Sequence, residues 1–185
     1  RSKVWTDVCR ASYGQIWDYR YAESLSCSIQ YDGGGRIFYE VPGQSDKYVN
    51  MSLKEAENAI VEEFSMYDEW LDKYEYLIEL GKSLTDFPES SKIDDNLIKG
   101  CQSRVWLDYK IEDGRIVFNA DSDAIITKGI ISLLIGLYSG RTPQEILSSD
   151  FSVVEKIGLK ENLSPTRANG LVSMIAKIRE IAAKG

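Results

Sequence analysis

The chain has 185 residues, 43% hydrophobic and 28% charged, a composition that supports one soluble domain with a core and room for an appendage. A net charge of -7, with no segregated Lys/Arg cluster, excludes an ordinary nucleic-acid-binding surface. Histidine is absent, which removes Ser-His-Asp and Cys-His nucleophilic sites, His-ligated zinc and histidine general bases together.

The first fifty residues are charge-neutral and hold six of the eleven tyrosines, so the acidity belongs entirely to the later part of the chain. Ser24–Tyr31 and Arg36–Val41 alternate as strands around Asp32-Gly33-Gly34-Gly35, which predicts a hairpin. No Lys-Ser/Thr and no helix start comes after these glycines, so a turn is expected there and not a phosphate-cradling loop. Cys9 and Cys27 lack metal-ligand spacing and are read as structural or incidental. Scattered cysteines and the absence of a signal-peptide pattern point to a reducing, cytoplasmic setting. The expected division is an extension of unknown role over residues 1–50 and a main domain over 51–185.

Helical spacing of apolar positions 53, 56, 60 and 64, then 70, 71, 74, 77 and 78, predicts two helices or one bent helix, with Gly81 as a left-handed stop. Glu62, Glu63, Asp68 and Asp72 fall at ordinary spacings for a solvated helix face. A polar loop over residues 82–99 then delivers the chain to Gly100-Cys101. Val105, Leu107, Tyr109 and Ile111 alternate with polar neighbours, and Glu112-Asp113-Gly114 turns the chain into a second strand over 115–120.

Asp121 or Ser122 is the expected cap of a helix reaching Tyr138, whose apolar run from Ile125 is too short to span a bilayer and contains Lys128. Gly140 ends it, and Thr142-Pro143-Gln144-Glu145 is a capping box with proline at the first helical position. Ser164-Pro165 repeats that signal before the apolar stripe Leu171, Met174, Ile175, Ile178 and Ile181. The class expected is α+β, a small antiparallel sheet packed against several helices.

Without histidine, a reactive residue must be activated by a cationic neighbour, a helix N-terminus or a partner, and that requirement points to cysteine. The run Asn96-Leu-Ile-Lys-Gly-Cys-Gln-Ser-Arg-Val-Trp-Leu107, centred on Gly100-Cys101-Gln102-Ser103, resembles the cysteine-loop signature of the SufE family of iron-sulfur cluster assembly proteins. The similarity continues, in order and spacing, through Tyr74–Gly81, Asp121-Ser-Asp-Ala124, Lys128-Gly129, Thr142-Pro143 and Leu163–Leu171, covering about residues 55–183. This resemblance implies a persulfide carrier, sulfurtransferase-like and not an autonomous enzyme. It would take sulfur from a SufS-like cysteine desulfurase onto Cys101, stimulate that enzyme, and deliver the sulfur to a SufBCD-like scaffold. No cofactor or metal is expected on the chain, since the pyridoxal phosphate belongs to the desulfurase, and neither nucleic acid nor membrane is an expected partner. A NifU/IscU-type cluster scaffold and a non-carrying adaptor that activates a desulfurase are the alternatives.

Around Cys101, the site expected from the resemblance comprises Gly100, Gln102, Ser103, Asp123 and Arg167. On the residues alone, Cys101 is either this nucleophile or a buried, inert cysteine. Lys99 and Arg104 are the nearest cations that could favour a thiolate, and Gly100 leaves room for an approaching partner loop. Arg167 is a cation at a helix N-terminus, where the macrodipole disfavours it; it is read as a site residue, a solvated arginine, or a partner of Asp121 or Asp123. Asp123 is read as a conformational residue or a first-turn helix acid. Trp106 alternates out of register with Val105 and Leu107, which places it opposite the core beside the cysteine loop, with packing as its expected role.

Overall fold

The computed structural model describes residues 28–31, 37–40, 51–84 and 87–185, and the chain divides into two compact units, 1–42 and 43–185. In the first unit β1 (Ser28–Tyr31) pairs antiparallel with β2 (Ile37–Glu40), in register from Ser28 with Glu40 to Tyr31 with Ile37. The glycine turn, Cys9 and Cys27 lie outside the described residues.

The second unit opens on α1 (Leu53–Ser65), started by a capping box: the Ser52 hydroxyl accepts from the Glu55 amide, and the Glu55 carboxylate accepts from the Ser52 amide at 2.8 Å. Its apolar stripe Ala56, Ile60 and Phe64 is buried. Glu63, expected on a solvated face, is buried too, where its carboxylate accepts a 2.5 Å hydrogen bond from the Tyr76 hydroxyl. A second helix, α2 (Trp70–Lys82), comes next.

Gly81 does not end α2. It lies inside the helix because its missing side chain is where another helix crosses: a Cβ there would stand 2.9 Å from the Gly129 amide nitrogen. The partner is α3 (Ile125–Tyr138), whose residues from Gly129 onward are all buried. Gly129 is the tighter of the two, since a Cβ on it would fall 2.1 Å from the Leu77 carbonyl oxygen. The contact is backbone on backbone, so neither side can yield by rotating a side chain.

Between α2 and α3 runs the hairpin of β3 (Val105–Glu112) and β4 (Arg115–Ser122), paired from Val105 with Ser122 to Glu112 with Arg115. Its two-residue turn has φ of 50° at Asp113 and 75° at Gly114, the backbone that Asp-Gly favours. Both sheet edges are partly covered. The Ile98 amide donates to the Val105 carbonyl at 2.8 Å on one side, and the Ile116 amide donates to the Arg141 carbonyl at 2.8 Å on the other. β4 runs two residues beyond its expected end. Asp121 and Ser122 therefore belong to the strand, and the N-cap position of α3 is Ala124, which provides no side-chain cap.

Beyond α3 come α4 (Pro143–Ser148), with the expected Thr142/Glu145 capping box, and the single turns α5 (Val153–Lys156) and α6 (Leu159–Asn162), too short to show a period in sequence. α7 (Pro165–Ala182) closes the domain with Leu171, Met174, Ile178 and Ile181 buried. The architecture is α+β, with the two-stranded sheet and α7 against the central α3. No helix among the described residues is long and apolar enough to cross a membrane.

Gly129→Ala should cost at least the 1–3 kcal/mol typical of overpacking, at roughly the upper end because the clash is with backbone. Urea unfolding with Gly114→Ala as control checks it: a Cβ at Gly114 meets nothing within 4 Å, so only its positive φ is penalised. Equal losses in the two variants would show that the helix crossing tolerates a methyl group.

Candidate functional site

The segment before β3 is fixed at both ends, and the cysteine sits between the fixed points. On its N-terminal side, two single turns at Glu89–Ser91 and Asp94–Asn96 are joined by a 2.8 Å hydrogen bond from the Asn96 side-chain amide to the Ser91 carbonyl. On its C-terminal side, Asp123 holds Arg104. The Arg104 amide donates to the Asp123 carboxylate at 2.9 Å, the guanidinium to the other oxygen at 3.3 Å, and the Asp123 amide returns a bond to the Arg104 carbonyl at 3.2 Å. That carbonyl also accepts from the Ser122 hydroxyl at 2.8 Å. The side-chain pair is solvent-exposed and adds little by itself, so the backbone hydrogen bonds set the position of the loop.

Between these points the chain turns at Gly100, whose φ of 92° is left-handed. Space does not favour a side chain there either: a Cβ would lie 2.6 Å from the Ser173 hydroxyl of α7. Gly100 therefore lets the loop close down on α7, a more specific use than leaving room for a partner.

Cys101, next in sequence, faces a cavity of about 480 Å³ bounded by its own loop, the first turn of α3 and the first turns of α7. Its thiol donates a long hydrogen bond, 3.6 Å, to the Gly170 carbonyl, and a Cβ on Gly170 would touch the sulfur at 3.4 Å. The side chain is half-buried, and burial pushes the Cys101 thiol up. In this closed arrangement the thiol form is favoured over the thiolate.

Of the residues singled out from sequence, Cys101, Gln102, Ser103 and Arg167 line this cavity together. Gly100 and Asp123 do not; they shape and anchor the loop. Arg167 is not the partner of Asp121 or Asp123, because Asp121 pairs with Lys128 at 2.8 Å and Lys92 at 3.1 Å while Asp123 is taken by Arg104. Burial acts to raise the Asp121 carboxyl, but the two ammonium groups outweigh it and hold it below the usual carboxylate range. Lys99 is exposed and absent from the cavity wall, and Arg104 is committed to Asp123, so neither of the cations nearest in sequence faces the sulfur. Trp106 is buried, not open on an outer face. Both strand faces are covered at this end, and Lys92 and Arg104 each lie 5.7 Å from its ring.

Thr127, Ile130, Gly170 and Met174 also line the wall, with the first residues of α3 and α7, and were not singled out as site residues from the sequence. Thr127 does leave a trace, as one of the few polar residues of a mostly apolar helix, beside Lys128 and Ser132; Ile130 and Met174 are indistinguishable from ordinary core positions.

The SufE family, described as an Fe-S metabolism associated domain, matches residues 58–182. The chain belongs to the SufE family. It is 42% identical over 128 residues to an uncharacterized SufE-like protein of Rhizobium meliloti (strain 1021), covering 66% of this chain and 91% of the relative. A second uncharacterized SufE-like protein, from Rhizobium etli, is 42% identical over 128 residues, covering 66% of this chain and 86% of that relative. The solution structure of a hypothetical protein from Thermus thermophilus shares the fold with a TM-score of 0.58 at 21% identity, over 72% of this chain and 94% of that one. SufE membership places the chain in Fe-S metabolism.

Two outcomes are expected for the SufE cysteine loop. Alkylation of Cys101 by iodoacetamide at neutral pH should be slower than that of an unstructured cysteine peptide and should climb with pH beyond the point where the peptide levels off, because a raised pKa leaves less thiolate. Asp123→Ala should speed alkylation roughly tenfold if releasing Arg104 removes about 1.4 kcal/mol from loop closure. Rates equal to those of the unaltered protein would show that the latch does not hold the loop.

Proposed function

We propose that this SufE-family chain is a sulfur acceptor, with Cys101 taking the outer sulfur of a persulfide offered by a cysteine desulfurase and later surrendering it to an iron-sulfur scaffold. The single observation that carries this reading is a half-buried thiol lining a cavity, on a loop held mainly at its ends and only by one long hydrogen bond at the cysteine.

The chemistry is thiol exchange. The Cys101 thiolate attacks the outer sulfur of the donor persulfide; a bond forms from Sγ to that sulfur while the donor's own S–S bond breaks. The electron pair leaves on the donor's inner sulfur, which takes up the proton that Cys101 gave up, so atoms, charge and redox state balance without an external oxidant. Pyridoxal phosphate stays with the desulfurase, which generates the persulfide; this chain contributes the second thiol and a place to keep the sulfur.

Burial of the thiol gives the reading its mechanism. A closed loop that disfavours thiolate protects the cysteine from indiscriminate oxidation, and docking has to draw the loop outward to expose and ionise it. Opening breaks the weak Cys101–Gly170 hydrogen bond and lifts the cysteine off the edge of the core against which it packs. Arg167, exposed at the rim and without a carboxylate partner among the described residues, is placed to meet negative charge developing on the sulfur.

Incubation with a cysteine desulfurase and free cysteine should add one reducible sulfur atom to the chain, mapped to the peptide holding Cys101 by mass spectrometry and absent in Cys101→Ser. The serine variant should bind the desulfurase but lose most of its stimulation of alanine release. Full stimulation by Cys101→Ser would instead favour an adaptor that acts by docking alone.

A further inference from the structure

We infer that the cavity beside Cys101 is an anion site in which the Thr127 hydroxyl donates a hydrogen bond to the outer sulfur of a persulfide on Cys101. The inference rests on the carrier reading and adds to it a positioning residue for the sulfur once it has been accepted.

Thr127 is only 6% exposed, yet its hydroxyl makes no hydrogen bond among the described residues, not even to the carbonyl one turn back. The hydroxyl is not sealed in the core, where an unpaired donor would be costly; it opens on the cavity, where a bound group can meet it. The residue lines the same cavity as Cys101, so a group placed in that cavity would be its partner.

The surroundings specify the charge of that partner. The first turns of α3, at Ala124–Thr127, and of α7, at Ser164–Arg167, both border the cavity, and neither has a side-chain cap. Their free amides and the positive ends of both helix dipoles therefore favour an anion. Arg167 adds a full positive charge, and no Asp or Glu among the described residues contributes to the wall. The Gly170 carbonyl is the acceptor turned toward the cysteine, which suits the protonated thiol of the resting state. After transfer Sγ is bonded to sulfur and carries no proton. The negative charge then sits one atom further out, where the resting thiol has no counterpart and a hydroxyl donor has something to hold.

The test uses the full chain in a Cys9→Ser, Cys27→Ser background, so that Cys101 is the only thiol. Inorganic polysulfide loads it: Cys101 thiolate takes one sulfur and the polysulfide leaves one sulfur shorter. Mass spectrometry counts the added sulfur, and the near-ultraviolet absorbance of the persulfide anion is titrated against pH in the parent, Thr127→Val and Thr127→Ser. Loss of a hydrogen bond to a charged group should raise the Thr127→Val midpoint by about one pH unit, a tenfold weaker ionisation, while Thr127→Ser stays near the parent. Iodoacetamide alkylation of the unloaded thiol should be equal in all three, whereas a merely structural change would alter it. Thr127→Ala supplies the same comparison should the valine variant fail to fold. Coincident midpoints in the parent and Thr127→Val overturn the inference and leave the carrier reading standing; failure of Cys101 to take up sulfur in any variant overturns both.

Discussion

The backbone contact between α2 and α3 sets where everything else in the second unit can go. Gly129 rests on the Leu77 carbonyl and Gly81 on the Gly129 amide, so the two axes approach more closely than any side chain would permit. Held this way, α3 is buried along nearly its whole length and becomes the element against which the hairpin and α7 are arranged. Its N-terminal turn emerges where the fold leaves a gap, and that gap is the cavity beside Cys101. The site is thus a by-product of how a central helix ends, which is why its wall combines apolar core side chains with unpaired helix amides.

The cysteine loop is built on the opposite principle. It has little core of its own and is held by a few hydrogen bonds at its ends, chiefly between Arg104 and Asp123, and by the Gly100 contact with Ser173. Such a segment opens at far lower cost than the helices beneath it. A rigid floor with a lightly latched cover is physically consistent with the proposed carrier, whose thiol would be sheltered between encounters and presented during them. The elevated thiol pKa and the long bond to Gly170 are two consequences of the same shelter.

Electrostatics divide the neighbourhood into charges already committed to the scaffold and a charge left for the cavity. Lys92 and Lys128 neutralise Asp121, and Arg104 is absorbed by Asp123, so these cations serve the scaffold. Arg167 has no such commitment among the described residues and stands at the positive end of α7. A cation there is unfavourable to the helix and favourable to an anion in the cavity. The helix gives up a little stability at the same point where the site gains positive potential.

Local chemistry was written in the sequence. The capping boxes at Ser52 and Thr142, the Asp113-Gly114 turn, the proline at the start of α7 and the strand alternation depend on neighbours a few residues apart, and the Cys101 motif is itself contiguous. Interactions between distant segments were not legible. Gly81 looked like a helix stop because a stop and a helix crossing both call for glycine, and only the approach of Gly129 separates them. Glu63 looked solvated because spacing does not reveal the Tyr76 hydroxyl that holds it. Arg104 looked like a thiolate partner because it is near in sequence, whereas Asp123, nineteen residues on, claims it in space. The sequence by itself determined which thiol to examine and what lies beside it along the chain; tertiary structure decided which groups surround it, since a cavity is made by segments that meet only after folding.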